Sequence, residues 1–255
     1  MKNIIRLSFL ALATTVLSIS CLNIHKYDGN DPSAADGAQI VTIVDGSYDS
    51  QYYVAFDNGQ KAYVIDNKVA QSITFPSSGP MKGEVRKLIF YNFVDETREG
   101  YDYCIRIVDM QDVSTSILEN IDKKEIKDQI PSHTATIKVQ AATLGKPHNY
   151  ITVLMHILRS NQDNFKHSII LTHNKERKGV FEETYKSTTD VDSYLWLELY
   201  HDSDTDYEYD VEELYTTYKI DTEYLGVKDM SEYKGIKIIY KDIDTKNAKV
   251  YTIAF

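Results

Sequence analysis

An acidic run near the C-terminal end of the chain has the carboxylate spacing of a calcium loop. The acids fall at positions 1, 3, 5, 9 and 12 of residues 202–213, namely Asp202, Asp204, Asp206, Asp210 and Glu213. Hard oxygen ligands at this spacing could coordinate Ca²⁺. Position 6 is Tyr207, however, where a calcium loop needs glycine for its sharp turn. We therefore expect a solvated acidic hairpin loop without a metal, and calcium binding is the alternative.

The remaining chemistry-bearing residues form no catalytic or zinc motif. His167 and His173 lie at the two ends of one predicted strand, too far apart to share a metal. A zinc site assembled from distant strands stays open, whereas His156, inside an apolar strand, is expected to form a hydrogen bond in a core or an interface. The sequence has no nucleophile elbow and no phosphate-binding glycine loop. We expect no enzyme activity and no cofactor.

Cys21 follows a short leader. Lys2 and Arg6 precede an apolar stretch over 7–19, which is shorter than the roughly 20 residues of a membrane-spanning helix. The sequence LSISC at 17–21 resembles a bacterial lipobox. It predicts a signal peptide over 1–20, lipidation of Cys21 and a polar, flexible tether over 21–37. We expect an outer-membrane lipoprotein of the cell envelope, either periplasm-facing or surface-exposed, and the acids in the tether favour the surface.

Net charge limits the possible partners. The chain carries a formal charge of −10. A phosphate backbone and an anionic membrane surface both require clustered Lys and Arg. We therefore expect no nucleic-acid partner, and membrane contact through the lipid anchor only. If Cys21 is lipidated, Cys104 is the one remaining cysteine, so no intramolecular disulfide can form.

Strand patterns dominate and predict an all-β fold. Five strands over 38–113, with the hairpin signal Asp57-Asn58-Gly59, indicate a small OB-like barrel, although a plain meander fits nearly as well. The charged segment 112–132 predicts a boundary with one short helix turn, and a linker over 114–132. About seven strands over 133–255 predict a β-sandwich domain. One of them, at 194–201, alternates Leu with Trp196 and Glu198, as a half-buried strand does.

Tyrosine is abundant, with 20 residues in 255. Tyr48, Tyr52 and Tyr53 could stack on sugar rings or on a protein partner. The alternative is that these rings fill the barrel core and its surface.

Several strand segments, taken in order, resemble a known family. They are 40–47 (IVTIVDGS), 52–59 (YYVAFDNG), 149–153 (NYITV), 167–171 (HSIIL) and 197–202 (LELYHD). Behind a lipobox leader, this order is similar to that of the NigD-like lipoproteins of Bacteroidetes. The resemblance implies an N-terminal OB domain and a C-terminal β-sandwich, and it implies no catalytic residues. Asp202 stands where the family usually has Asn after the histidine.

These observations together predict a non-enzymatic, lipid-anchored envelope protein. Its expected role is that of a protein or peptide interaction module at the outer membrane. A glycan-binding surface lipoprotein is the first alternative, motivated by the tyrosines and the anchor. An envelope hydrolase is the least supported alternative, because no acid–base or nucleophile constellation is readable.

Overall fold

A computed structural model describes residues 35–46, 51–65, 72–120, 135–160, 167–203 and 210–255. The predictions for Cys21, Tyr48, Asp204 and Asp206 lie outside these residues. The described residues fall into two compact units: one up to Val113 together with Gly145–His148, and one made of the remaining residues. Both units are built almost entirely from strands, which confirms the all-β prediction of a barrel and a sandwich.

The first unit contains a closed five-stranded barrel. Its strands are β1 (Gly37–Gly46), β2 (Gln51–Ala55), β3 (Lys61–Val64), β4 (Glu84–Val94) and β5 (Tyr103–Asp112). They pair in the order β1-β2-β3-β5-β4, and β4 closes the barrel against β1. The pairing of β3 with β5 is parallel, and the other pairings are antiparallel. A plain meander has no parallel pair, so the OB-like prediction holds and the meander does not.

Alternation along the barrel strands places aliphatic side chains inside. Val54 on β2 and Ala62 and Val64 on β3 are fully or almost fully buried in one cluster with residues of β1, β4 and β5. Arg86 is also buried. Its positive charge is compensated there, because its guanidinium donates to both carboxylate oxygens of Asp57 at 2.6 and 3.0 Å. Asp57 belongs to the turn between β2 and β3, so this ion pair fastens the hairpin to β4.

The second unit contains two sheets around one apolar core. The strands are β6 (Thr115–Ile117), β7 (Glu119–Asn120), β8 (Ile137–Gly145), β9 (Tyr150–Arg159), β10 (Ser168–His173), β11 (Leu195–Asp202), β12 (Asp210–Lys219), β13 (Gly235–Lys241) and β14 (Ala248–Ala254). One sheet has the order β14-β13-β11-β10-β7, and the other has the order β6-β12-β9-β8. Two short helices are α1 (Glu182–Lys186) and α2 (Thr222–Leu225).

Residues 115–120 form two short strands, because Thr115–Ile117 pairs in parallel with β12 and Glu119–Asn120 with β10. The helix turn predicted within 112–132 stays a prediction, because residues 121–132 lie outside the described residues. The prediction of a hairpin after Asp202 was wrong, because β11 and β12, the strands on either side of the acidic run, belong to different sheets and do not pair.

Strand β11 is buried on both faces, which corrects the prediction of a half-buried strand. Leu195, Leu197 and Leu199 face the sandwich core. Trp196 and Tyr200 lie on the other face, in a second cluster with side chains of the 174–194 connection. The connection between β10 and β11 therefore covers the outside of the sheet. Among the described residues, no helix is long and apolar enough to cross a bilayer.

Candidate functional site

Three tyrosines meet on the outer surface of the barrel. Tyr53 on β2 and Tyr63 on β3 are directly opposite in the antiparallel register. Their sequence neighbours face the barrel core, so these two rings face outward. The ring of Tyr101, just before β5, lies 6.2 Å from Tyr53 and 5.5 Å from Tyr63 between centroids, edge to face in both cases. We call Tyr53, Tyr63 and Tyr101 the tyrosine patch.

Backbone contacts hold Tyr101 in place. The N–H of Asp102 donates to the carbonyl of Lys61 over 2.9 Å, and the N–H of Lys61 donates to the Asp102 carboxylate over 2.8 Å. These two bonds fasten the end of the β4–β5 loop to the start of β3. The third ring of the patch is therefore positioned by a reciprocal pair of hydrogen bonds.

Two cations flank the patch. The Lys61 ammonium lies 5.5 Å from the centroid of Tyr53, and the Arg98 guanidinium lies 5.0 Å from that of Tyr63. Contacts of this kind are attractive because the ring face is electron-rich. Burial, followed by the charges of Glu84 and Tyr101, raises the pKa of Tyr53, so its hydroxyl stays protonated. The surface combines half-buried rings, phenol hydroxyls and positive charge, which suits an acidic or polar ligand.

The sequence singled out only one member of this patch. Tyr52 lies on the opposite face of β2 from Tyr53, packed against the barrel core with Phe75 at 6.2 Å. Tyr63, Tyr101 and Arg98 were missed. A signal for Tyr63 was present, because the hairpin turn at 57–59 sets the register that opposes Tyr53 and Tyr63. Tyr101 and Arg98 belong to the loop between β4 and β5, and no local sequence pattern predicts the path of that loop.

The described members of the acidic run are spread over two strands in different sheets. Asp202 ends β11, Asp210 begins β12, and Glu213 lies within β12. The Glu213 carboxylate lies 3.0 Å from Nε2 of His156, whose other ring nitrogen contacts Gln140 at 3.0 Å. Within the described part of the chain, no three His, Cys, Asp or Glu side chains cluster as a metal site would require.

A histidine pair does form, but with a different partner from the one considered in the sequence. Nδ1 of His167 lies 2.8 Å from Nε2 of His201, and the rings stack at 5.1 Å. Antiparallel pairing of β10 with β11 brings them together, whereas His173 at the other end of β10 contacts the carbonyl of Trp196. At this distance one hydrogen lies between the two nitrogens, so the pair forms a hydrogen-bonded cross-link between the strands.

A buried carboxylate lies behind β11. Glu198 is 1% exposed and accepts hydrogen bonds from Asn174 at 3.0 Å, Tyr185 at 2.8 Å and Tyr200 at 2.5 Å. Burial raises its pKa, although these three donors oppose the shift. Burial and the nearby Glu198 charge also raise the pKa values of Tyr185 and Tyr200. The cluster fixes the 174–194 connection to the sheet.

The chain is similar to proteins of known structure over most of its length. A protein of unknown function DUF1344 from Bacteroides vulgatus has a TM-score of 0.61 and 18% identity, covering 86% of this chain and 90% of its own. A NigD-like immunity protein from Bacteroides caccae has a TM-score of 0.53 and 18% identity, covering 89% and 94%. A candidate lipoprotein from Bacteroides fragilis has a TM-score of 0.51 and 13% identity, covering 86% and 98%.

At these identities the structural likeness establishes the fold alone. No curated protein sequence matches the chain. The model of the NigD-like C-terminal beta sandwich domain matches residues 118–255, which is more than half of the sequence and includes every strand from β7 to β14. The resemblance noted in the strand segments is thereby confirmed, and the chain belongs to the NigD-like family.

Proposed function

We propose that this chain is a non-enzymatic, lipid-anchored protein of the outer membrane that binds a protein or peptide partner through the tyrosine patch. The observation that carries the proposal is the pairing of Tyr53 with Lys61 and of Tyr63 with Arg98. Aromatic side chains and arginine are the residues most enriched at the energetic centres of protein interfaces. The partner surface would carry carboxylates to meet the two cations.

The same contacts favour a protein over a glycan. Sugars bind aromatic platforms by stacking a ring against an open aromatic face. Here a cation lies over one face of Tyr53 and of Tyr63, and Tyr101 meets both rings edge to face. The patch offers edges, hydroxyls and charge instead of a flat platform. Glycan binding remains the second candidate, because three phenol hydroxyls could also bind sugar hydroxyls.

The proposed location in the cell envelope rests on the leader and on Cys21. A lipobox-like sequence precedes this cysteine, and a structural relative from Bacteroides fragilis is named as a candidate lipoprotein. Two or three acyl chains anchor a protein stably, since each buried CH₂ contributes roughly 0.8 kcal/mol. In cells grown with labelled palmitate, we expect label in the wild-type chain and none in Cys21→Ser. Protease treatment of intact cells then separates surface display, which we favour, from a periplasmic orientation.

Site-specific crosslinking tests the binding proposal. A photoreactive residue at Tyr101 is expected to capture a defined protein in intact cells, and the same residue at exposed Val211 serves as the control. Capture should fall sharply when Arg98→Glu reverses the charge beside Tyr63. Equal capture from both positions, or capture unaffected by Arg98→Glu, contradicts the proposal. Titration with representative glycans at millimolar concentration tests the second candidate, which fails if the tyrosine fluorescence does not change.

A further inference from the structure

Strand β14 forms one edge of the five-stranded sheet. It pairs with β13 on one side, and among the described residues no strand pairs with its other side. Five of its seven residues are exposed, namely Ala248, Lys249, Val250, Thr252 and Ala254. Edge strands with free backbone groups accept additional strands unless proline, bulges or charged side chains protect them.

The register shows which backbone groups point outward. The N–H of Phe255 donates to Lys234, and the N–H of Asp242 donates to Asn247. Hydrogen-bonded pairs alternate along an antiparallel ladder. The groups of residues 249, 251 and 253 therefore point towards β13, and those of Val250, Thr252 and Ala254 point away from it. An incoming strand would find three residues with donors and acceptors already aligned.

The edge has little of the usual protection. Strand β14 contains no proline and carries one charge, on Lys249, which is held at 2.9 Å by the carboxylate of Asp242. Its side chains alternate: Tyr251 and Ile253 pack against the sandwich core while staying half-exposed, and Val250 on the other face is 39% exposed. A strand added here would extend the core beyond Tyr251 and Ile253, so it needs apolar residues on that face.

The net charge of the β13–β14 hairpin indicates which residues the other face of an added strand should carry. Residues 234–255, which form the β13–β14 hairpin, contain five lysines and two aspartates, a net of +3 in a chain of −10. Two ion pairs reach the hairpin from elsewhere, Lys138 with Asp244 and Asp190 with Lys237. Their partners outside the hairpin, Lys138 and Asp190, carry one charge of each sign, so the net charge of this region stays at +3. This hairpin is a basic region of an acidic protein, so it attracts acidic segments. Pairing of β14 with β14 of a second copy is disfavoured, because it would bring two basic hairpins together.

We propose that β14 is a docking edge for an extended segment of a partner protein that alternates apolar and acidic residues. The apolar residues would continue the sandwich core. The acidic residues would lie on the face of Lys237 and Lys241, which are directly opposite Thr252 and Ala248. Backbone pairing supplies affinity, and the alternating side chains supply specificity. The site is independent of the tyrosine patch and carries a second, different mode of recognition.

The test uses a nine-residue peptide that alternates Val and Glu, with a Val and Lys peptide of equal length as its matched control. Hydrogen exchange of the full chain is followed at the amides of Val250, Thr252 and Ala254. We expect the Glu peptide to slow their exchange at concentrations about tenfold below those needed for the Lys peptide. Arg98→Glu should leave this protection unchanged, which separates the result from the barrel site.

Two variants locate the contact. Thr252→Pro removes an outward N–H without removing a bond to β13, and edge strands tolerate proline at such positions. It should weaken protection by the Glu peptide about tenfold. The variant Lys241→Glu reverses a charge on the face that the acidic residues would occupy. It should reduce the preference for the Glu peptide, and it keeps the test decisive if Thr252→Pro does not fold.

Three results would overturn the proposal. Failure of both peptides to protect the edge, or equal protection by both, excludes an acidic strand as the occupant. Protection that rises with protein concentration when no peptide is present shows that the edge pairs with a second copy. Protection by the Glu peptide that persists fully in Thr252→Pro places the peptide elsewhere.

Discussion

The hydroxyl of Tyr185 donates to the carboxylate of Glu198 over 2.8 Å and ties helix α1 to the middle of β11. Both side chains are buried. Strand β11 can carry a glutamate on its outer face only because the 174–194 connection brings donors to that carboxylate. A buried carboxylate without such partners would be strongly destabilising. Tyr185 and Glu198 therefore link the irregular connection to the regular sheet.

Removing the Tyr185 hydroxyl should loosen this connection. Tyr185→Phe keeps the ring against Trp196 and deletes one donor to a buried carboxylate. Because a hydrogen bond to a charged group contributes about 1.5–3 kcal/mol, we expect a loss of that size in the free energy of unfolding. Urea titration measures it. The control is Tyr224→Phe, at a residue that is 58% exposed, which should change stability by less than about 0.5 kcal/mol. Equal losses of unfolding free energy in the two variants would show that the hydrogen bond from Tyr185 to Glu198 makes no specific contribution to stability.

Glu198 should also make stability depend on pH. Burial raises its pKa above the ordinary value of 4.5, so the folded state binds the proton more tightly than the unfolded state. Its contribution therefore favours folding below pH 4.5 and is lost as pH rises through the raised pKa. Glu198→Gln cannot titrate. The unfolding free energy of the wild type minus that of Glu198→Gln should fall as the pH rises above 4.5, and a constant or rising difference contradicts this prediction.

The ion pair between Arg86 and Asp57 should contribute more to the free energy of unfolding than the neighbouring surface ion pair between Lys87 and Asp112. Asp57→Asn leaves the Arg86 guanidinium, whose side chain is fully buried, without its carboxylate. Breaking one side of a buried pair costs about 3–5 kcal/mol. Lys87→Met is the matched control on the next residue of β4, because its partner Asp112 is 93% exposed and such pairs contribute about 0–1 kcal/mol. Chemical unfolding of both variants gives the comparison, and similar losses would exclude the proposed difference.

Gly235 should tolerate no larger residue. A Cβ atom at this position would lie 2.1 Å from the backbone carbonyl oxygen of Ile253, so β13 and β14 would have to separate. We expect Gly235→Ala to lower the unfolding free energy by more than about 2 kcal/mol, since the contact is with backbone that cannot rotate away. Thr252→Ala, at an exposed residue of the same hairpin, should be close to neutral. Thermal unfolding of Gly235→Ala at the wild-type temperature would contradict the prediction.

Local patterns predicted individual strands well and their partners less well. The hairpin signal at 57–59 correctly indicated the antiparallel β2–β3 pair. The parallel pairings of β3 with β5 and of β11 with β13 join segments far apart in the chain. Such contacts depend on closing the barrel and stacking the sheets, and no local propensity specifies them. The same limit applies at 115–120, where two short segments that no strand pattern singled out pair with β12 and β10.

The candidate site shows the same division. The sequence could nominate Tyr53 because an aromatic residue on a predicted strand is readable from one segment. It could not place Arg98 or Tyr101 beside it, since both belong to the β4–β5 connection, whose end is fixed by hydrogen bonds between Asp102 and Lys61. In the second unit, antiparallel pairing brings His167 to His201, two residues that are 34 positions apart.

The sequence by itself determined the all-β class, the succession of a barrel and a sandwich, and the resemblance to the NigD-like family, because alternation and turn residues act within a few positions. Only the tertiary structure decided which side chains meet: the tyrosine patch, the histidine pair and the donors around Glu198. It also decided that β14 lies at the edge of its sheet. These depend on strand order and on what covers each face of a sheet. Both arise from burying apolar surface across the whole domain, a property that no single segment of the chain contains.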